Sequence, residues 1–421
     1  MPSFFRWLFI PLLLMALASA YAATEELNLD SLIAEALKNN PEIHAAEARI
    51  DAADLRVRQA RALPDPMLMV GYQNEGTSRY TYGDSPDAQW IFSASQTFPF
   101  FGKRGLKGEM AAADADGMRA AIEGIRLKTV GRVKELYYDL FLSYRNIDLI
   151  NEKTFLYSKI EEAAIDRYTS GISGQQDVLM AQTEKYMLRE KREMLLQKIR
   201  SLEAMLNLTL GRENYASLGR PAELTDRAFD STTEELIAEA YESSPDIQIR
   251  KKNVAAAEAR IKMAKREYYP DFTVAAQTNQ RGGEMSSTSM YMLTTTFNIP
   301  LYFKWKQEPA VREATAMLQE AKYDMEGTKL MTAAVIRDNA AMVAAADRLI
   351  SLYRKALIPK ASQDFESTLA GYATGKNDAL TVISRLRAFL DVEILYWTQV
   401  VEKQKAIARI DAVVGKKEQL R

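Results

Sequence analysis

The chain has 421 residues, 55 Lys and Arg against 56 Asp and Glu, one His and no Cys. A net charge of −1 gives no overall basic footprint for nucleic acid, and the missing Cys removes disulfides, thiolate metal sites and cysteine nucleophiles. With His44 alone, a multi-histidine zinc site within one chain is excluded and the pattern argues against a hydrolase triad; no residue constellation points to an enzyme, so no enzyme, cofactor or metal site is expected.

The N-terminus reads as a secretory signal peptide over residues 1–22. Arg6 supplies the positive segment, Trp7 to Ala18 the short apolar run, and Ala18-Ser19-Ala20 or Ala20-Tyr21-Ala22 the small-residue cleavage site. The apolar run is shorter than the ~20 residues needed to span a bilayer. No other stretch reads as a transmembrane helix, so a membrane location has to be reached through β-strands.

Beyond this point the chain reads as two tandem copies, 28–210 and 232–414. Leu32-Ile33-Ala34-Glu35-Ala36 returns as Leu236-Ile237-Ala238-Glu239-Ala240, 204 positions later, each followed after four residues by a proline, Pro41 or Pro245. Pro64-Asp65 matches Pro270-Asp271, Phe98-Pro99 matches Ile299-Pro300, and Tyr168-x-x-Gly171 matches Tyr372-x-x-Gly375, again 204 apart. Each copy opens with a short helix (about 28–40 and 232–243) and a second helix started by its proline (41–62 and 245–267), whose fixed φ suits a first helical position.

Two strand-like stretches follow in each copy, forming hairpins at about 66–98 and 271–300. Trp90, Phe92, Ala94 and Phe98 alternate with Ser93, Ser95 and Thr97; Tyr291, Leu293 and Phe297 alternate with Thr294, Thr296 and Asn298. The partner stretches alternate less cleanly. A long helical hairpin completes each copy, 103–208 and 308–414, with the Tyr-x-x-Gly segment as its turn. Some 65 residues of helix would reach about 100 Å. Pro359 is the one interruption in the second hairpin's first arm.

Four strands with one apolar face cannot close alone in lipid, because two edges would stay unpaired. Three chains would supply twelve strands, an even antiparallel number wide enough for a watery lumen.

In this order and in duplicate, the proline-terminated LIAEA starts, Pro64-Asp65-Pro66, Phe98-Pro99 with Gly102-Lys103-Arg104, and the two Tyr-x-x-Gly turns resemble the outer-membrane efflux channel (TolC) family of Gram-negative bacteria. The resemblance implies a mainly α fold with a membrane β-barrel portion. It further implies a homotrimer with a twelve-stranded barrel among outer-membrane lipid, a twelve-helix α-barrel through the periplasm, a periplasmic adaptor protein and an inner-membrane pump. The stretches 63–76 and 98–104 are most similar to the heavy-metal (CzcC- and CusC-like) branch. That branch implies a passive exit duct for heavy-metal ions delivered by a resistance-nodulation-division (RND) pump. CusC-like members typically carry lipid on a Cys that this chain lacks, which favours the CzcC-like comparison. Drug efflux or type I protein secretion stays open, since the pump selects the cargo. A periplasmic coiled-coil adaptor would share the long helical hairpins but not the duplicated strands.

The family closes its periplasmic end by coiling the helical hairpins inward, held by polar links near the turns. Matched by position, Asp177 stands six residues after Gly171, and Tyr372 is its partner hydroxyl from the second turn. Thr381 and Ser384 occupy positions where some members carry aspartates, and Asn377 replaces a possible basic partner, which speaks against an acidic cation-binding ring. The expected aperture set is therefore Asp177, Tyr372, Thr381 and Ser384, with a Tyr372–Asp177 hydrogen bond, and the expected adaptor-docking tips are Tyr168, Gly171, Tyr372 and Gly375. Asp177 reads equally as a helix-start acid favoured by the dipole. Met67, Met69, Met285, Met290 and Met292 cluster in or beside the strands. Thioethers suit Cu(I), but Met also fills gaps or faces lipid.

Overall fold

The computed structural model describes residues 26–224, 229–285 and 289–416; the signal-peptide segment 1–22 lies outside them. The elements are α1 (Leu29–Asn39), α2 (Pro41–Arg61), β1 (Met67–Gln73), β2 (Gln89–Phe98), α3 (Lys103–Thr169), α4 (Gln175–Leu210), α5 (Thr233–Ser243), α6 (Pro245–Arg266), β3 (Asp271–Arg281), β4 (Met290–Asn298), α7 (Gln307–Leu352), α8 (Ile358–Ala373) and α9 (Ala379–Val414). Both copies run through the same order. At the first α–α junction the Asn40 carboxamide oxygen accepts the Glu42 N–H at 2.8 Å while its NH2 donates to the Thr209 carbonyl at 2.8 Å. One side chain thus caps α2 and ties it to the end of α4.

Pro359 does not break the long arm. A π-helical turn, Tyr353–Leu357, precedes it, and the Ile358 N–H bonds five residues back to the Tyr353 carbonyl. The extra residue absorbs the missing donor and the ring's clash with the preceding turn, so α7 continues into α8.

The chain forms two compact units. One holds α1, α4, α5, α8, α9, most of α3 and the end of α7. Its cores are apolar seams: Leu136, Leu140, Leu206 and Val401 in one, Ile336, Ala406 and Ile410 in another. The other holds the strands, nearly all of α2, α6, and the starts of α3 and α7. In it Lys103, 3% exposed, is held by Asp271 at 2.8 Å and Glu267 at 3.2 Å.

The two β-hairpins join into one antiparallel sheet of order β1-β2-β3-β4, the β2–β3 seam running from Gln89↔Arg281 to Phe98↔Phe272. Its faces are unlike. One carries rings: Tyr72 against Trp90 at 5.2 Å, Phe98 against Phe272 at 5.3 Å, and Phe272 near Phe297 at 6.3 Å. The other carries amides and hydroxyls: Gln89 donates to Gln73 at 3.2 Å, Thr97 and Thr273 share a 2.9 Å bond, and Gln277 donates to Asn279 at 2.8 Å. Trp90 and Phe98 stand eight residues apart on β2, about 26 Å along the strand. That spacing suits two aromatic girdles flanking a tilted apolar band.

Candidate functional site

The expected site lies at the turns of the two helical hairpins. Both turns are built alike. Gly171 (φ 68°) and Gly375 (φ 76°) take the left-handed conformation that ends a helix. The Ile172 N–H returns to the Arg167 carbonyl and the Lys376 N–H to the Gly371 carbonyl, each at 2.8 Å. The restarts differ. α4 has Gly174 at its N-cap with no side-chain bond and places Asp177 in its first turn. α9 is capped by the Asp378 carboxylate, which accepts the Thr381 N–H at 2.8 Å. The Thr381 hydroxyl first, and this N–H bond second, hold the Asp378 carboxyl below its ordinary pKa. Thr381 and Ser384 are absorbed locally, the Ser384 hydroxyl donating to the Thr381 carbonyl at 2.8 Å.

Tyr372 is fully buried, in one core with Tyr157, Ile160, Ala181, Phe365, Val382 and Ile383. This core draws on α3, α4, α8 and α9, so the two hairpins are packed together at their turns. Burial, then the Asp177 charge, pushes the Tyr372 phenol up, with Arg167 opposing. The expected hydrogen bond to Asp177 is not made within the chain, because the Tyr372 hydroxyl is buried without a partner. What holds Tyr372 is Arg167. The guanidinium stands 4.7 Å from the ring centroid, and its Nη1 donates to the Tyr372 carbonyl at 2.6 Å. Tyr168, by contrast, is about half exposed.

Arg167 belongs to none of the sequence motifs, and its one signal lies in the duplication. Position 167 corresponds to Gly371 in the second copy, 204 residues on. There a Cβ would come within 2.2 Å of the Asn377 amide, which donates to the Thr368 carbonyl at 3.0 Å. A residue-by-residue comparison of the two turns exposes this exchange. Further along the arms the hairpins are joined by Tyr157 donating to the Ile383 carbonyl at 3.4 Å, by Arg387 with Glu184, and by Lys153 with Glu393 at 2.6 Å. Lys153 is 1% exposed, and its ammonium also lies 4.2 Å from the Phe389 ring centroid. Among the described residues no group of three His, Cys, Asp or Glu side chains is placed to hold a metal ion.

The chain thus holds duplicated helical hairpins in one unit and a two-faced sheet in the other. A profile described as outer membrane efflux protein matches residues 32–212 and again 236–416. The chain belongs to the outer membrane efflux protein family. The double match bears out the duplication, and the family places the chain in the outer membrane, in efflux. Among relatives, the cobalt-zinc-cadmium resistance protein CzcC of Cupriavidus metallidurans is 20% identical over 398 residues, 94% of this chain and 91% of that one. The pyoverdine export outer membrane protein OpmQ of Pseudomonas aeruginosa is 24% identical over 432 residues, 94% and 85% of the two. The solved structure of CusC, described for its folding and transmembrane channel formation, superposes with a TM-score of 0.80 at 17% identity, covering 92% of each chain. The fold is therefore the TolC-like one that the sequence resemblance implied.

Proposed function

We infer that three copies of this chain close a twelve-stranded barrel in the outer membrane. The hairpin helices form the α-barrel of a passive exit duct through the periplasm, served by a periplasmic adaptor and an inner-membrane RND pump. The observation that carries this reading is the sheet: β1 and β4 are each paired on one side only, and the two faces differ in chemistry. Lipid tolerates neither open edge, so each β4 pairs with the β1 of the next copy, rings outward and amides inward. Light scattering on the detergent-extracted species, corrected for detergent, tests it. A mass of three signal-cleaved chains is expected, and a soluble monomer would overturn the reading.

For the cargo we assign heavy-metal ions, by likeness to the cobalt-zinc-cadmium resistance protein across nearly its whole length. The comparable likeness to a pyoverdine exporter favours an organic cargo as the second reading. Co-expression with a metal pump or a siderophore pump, each with its adaptor, decides between them by which export is restored. At the periplasmic end, Asp177 and Tyr372 belong to the aperture, with the Tyr168 and Gly171 turn and the Gly375 turn as docking tips. The buried, unpartnered Tyr372 hydroxyl and the nearby Asp177 charge support this assignment.

A further inference from the structure

The irregular alternation of β1 has a chemical cause. Met67-Leu68-Met69 on β1 and Met290-Tyr291-Met292 on β4 are both Met-x-Met runs. In a strand, residues two apart share a face about 6.7 Å from each other. Register puts Met67 opposite Ser95 and Met69 opposite Ser93, then Ser93 opposite Gln277 and Gln277 opposite Met292. All four methionines thus lie on the amide-and-hydroxyl face, while Leu68 and Tyr291 between them go to the ring face. Each is roughly half exposed in the single chain, from 44% at Met290 to 62% at Met67. They fill no core.

Duplication does not explain them. Thr273 and Ala275 stand at the positions of β3 that correspond to Met67 and Met69, and Gln89 and Ile91 at the positions of β2 that correspond to Met290 and Met292. The two pairs arose on non-equivalent strands, yet both are outer strands and both face the same way. What sets them apart is their chemistry: four thioethers, soft neutral donors, on a face otherwise built largely of amides and hydroxyls.

We propose that each Met-x-Met pair is a lumen-side clamp for a soft monovalent cation, Cu(I) or Ag(I). The inference rests on the barrel reading above and, within heavy-metal ions, points to softer ones than the cobalt and zinc in the name of the relative that supports the cargo assignment. Two flexible thioethers on one strand face can turn toward a single ion between them. They are neutral and need no deprotonation, and they prefer soft ions over Zn(II) or Co(II), which favour nitrogen and oxygen donors. Two neutral ligands bind weakly, which suits an ion that must enter a conduction path and leave it again. Closure puts the Met67–Met69 pair of one chain and the Met290–Met292 pair of the next on neighbouring strands.

The test uses the full-length channel reconstituted in planar bilayers in chloride-free nitrate electrolyte, with silver nitrate as probe. With no Cys and one His in the chain, thioethers are its main soft donors, so the readout is clean. Ag(I) should reduce the current in resolvable blocks, and the same concentration of Zn(II) should not. The volume-conserving variant M67L/M69L/M290L/M292L should keep the trimer mass in light scattering, which controls for folding. It should need about tenfold or more Ag(I) for half block, at least what losing an outer-shell partner costs a metal site. M67L/M69L and M290L/M292L alone should each shift the response part-way. Block that is absent in the unaltered channel, or unchanged in the quadruple variant, overturns the clamp. Absence of any basal current in the unaltered channel overturns the barrel reading instead.

Discussion

Arg167 and Tyr372 come from different hairpins, and their contact joins the two turns through one guanidinium: a ring stack at 4.7 Å and a carbonyl bond at 2.6 Å. The Nε of the same group is buried without a hydrogen-bond partner among the described residues. If the turns keep the aperture narrow, Arg167→Ala should raise single-channel conductance. Arg167→Lys should recover only part of the closure, because a lysine keeps the charge but not the planar stack. Asp177→Ala should also raise conductance, and an unchanged value would sink its role. The double variant should exceed neither single by much if both act on one latch. A second residue-level link answers to pH. Glu161 accepts Lys185 at 2.5 Å and Gln182 at 3.0 Å, and the Lys185 bond foremost holds its carboxyl below the ordinary 4.5. A carboxyl with a depressed folded pKa stabilises fully above its unfolded value and loses that contribution as pH falls through the folded one. Thermal unfolding of the channel between neutral pH and about pH 3 should therefore show an acid limb that is shallower in Glu161→Gln.

Between elements, the duplication is a physical device repeated with altered parts. Gly211 ends α4 and Gly415 ends α9, both at positive φ (74° and 88°). The residues after them reach the short helices: Arg212 forks onto Glu35 at 2.5 Å, and Lys416 meets Glu239 at 3.6 Å. A Cβ at Gly211 would lie 2.5 Å from the Asn39 carbonyl oxygen. Gly211→Ala should therefore destabilise by more than ~1 kcal/mol, since neither backbone can yield cheaply. Gly327→Ala, in α7 with open space around it, should instead stabilise by about 0.8–1 kcal/mol. Circular-dichroism melts of the two variants should move in opposite directions. The same comparison shows what was legible in the chain and what was not. Period-two and period-3.6 patterns, prolines at helix starts and glycines at turns are local, so the element order and both turns could be read directly. The π turn before Pro359 could not be read, because whether a proline breaks, kinks or is absorbed depends on the packing around it. The β2–β3 seam joins residues more than 170 apart and leaves no local trace. At the turns, Asp177 and Tyr372 are singled out only by matching the family pattern by position. The buried hydroxyl and the Arg167 contact depend on which side chains meet across two hairpins.

At the scale of the whole molecule, the sheet's two faces and its single-sided edges state the same requirement, that one face meets lipid and the other water. A one-residue step along β2 separates them. Ala94 lies midway between Trp90 and Phe98 on the ring face, opposite Leu68 and Ala276. Ser95 is next to it on the amide face, opposite Met67 and Ala275. A guanidinium at the lipid midplane of a membrane barrel costs about 2–4 kcal/mol per copy, and a closed trimer repeats that cost at three symmetric places. Ala94→Arg should then reduce the yield of trimer in the outer-membrane fraction or abolish it. Ser95→Arg should leave the trimer intact and put three positive charges into the lumen. Its signature is electrical: the reversal potential in a potassium chloride gradient should shift toward anion preference, and cation conductance should fall. Measuring both variants side by side controls for the charge itself, since the substitution is the same and only the face differs. Trimer lost with Ser95→Arg and kept with Ala94→Arg would mean that the faces are assigned the wrong way round, and the methionine pairs would then face lipid instead of the conduction path.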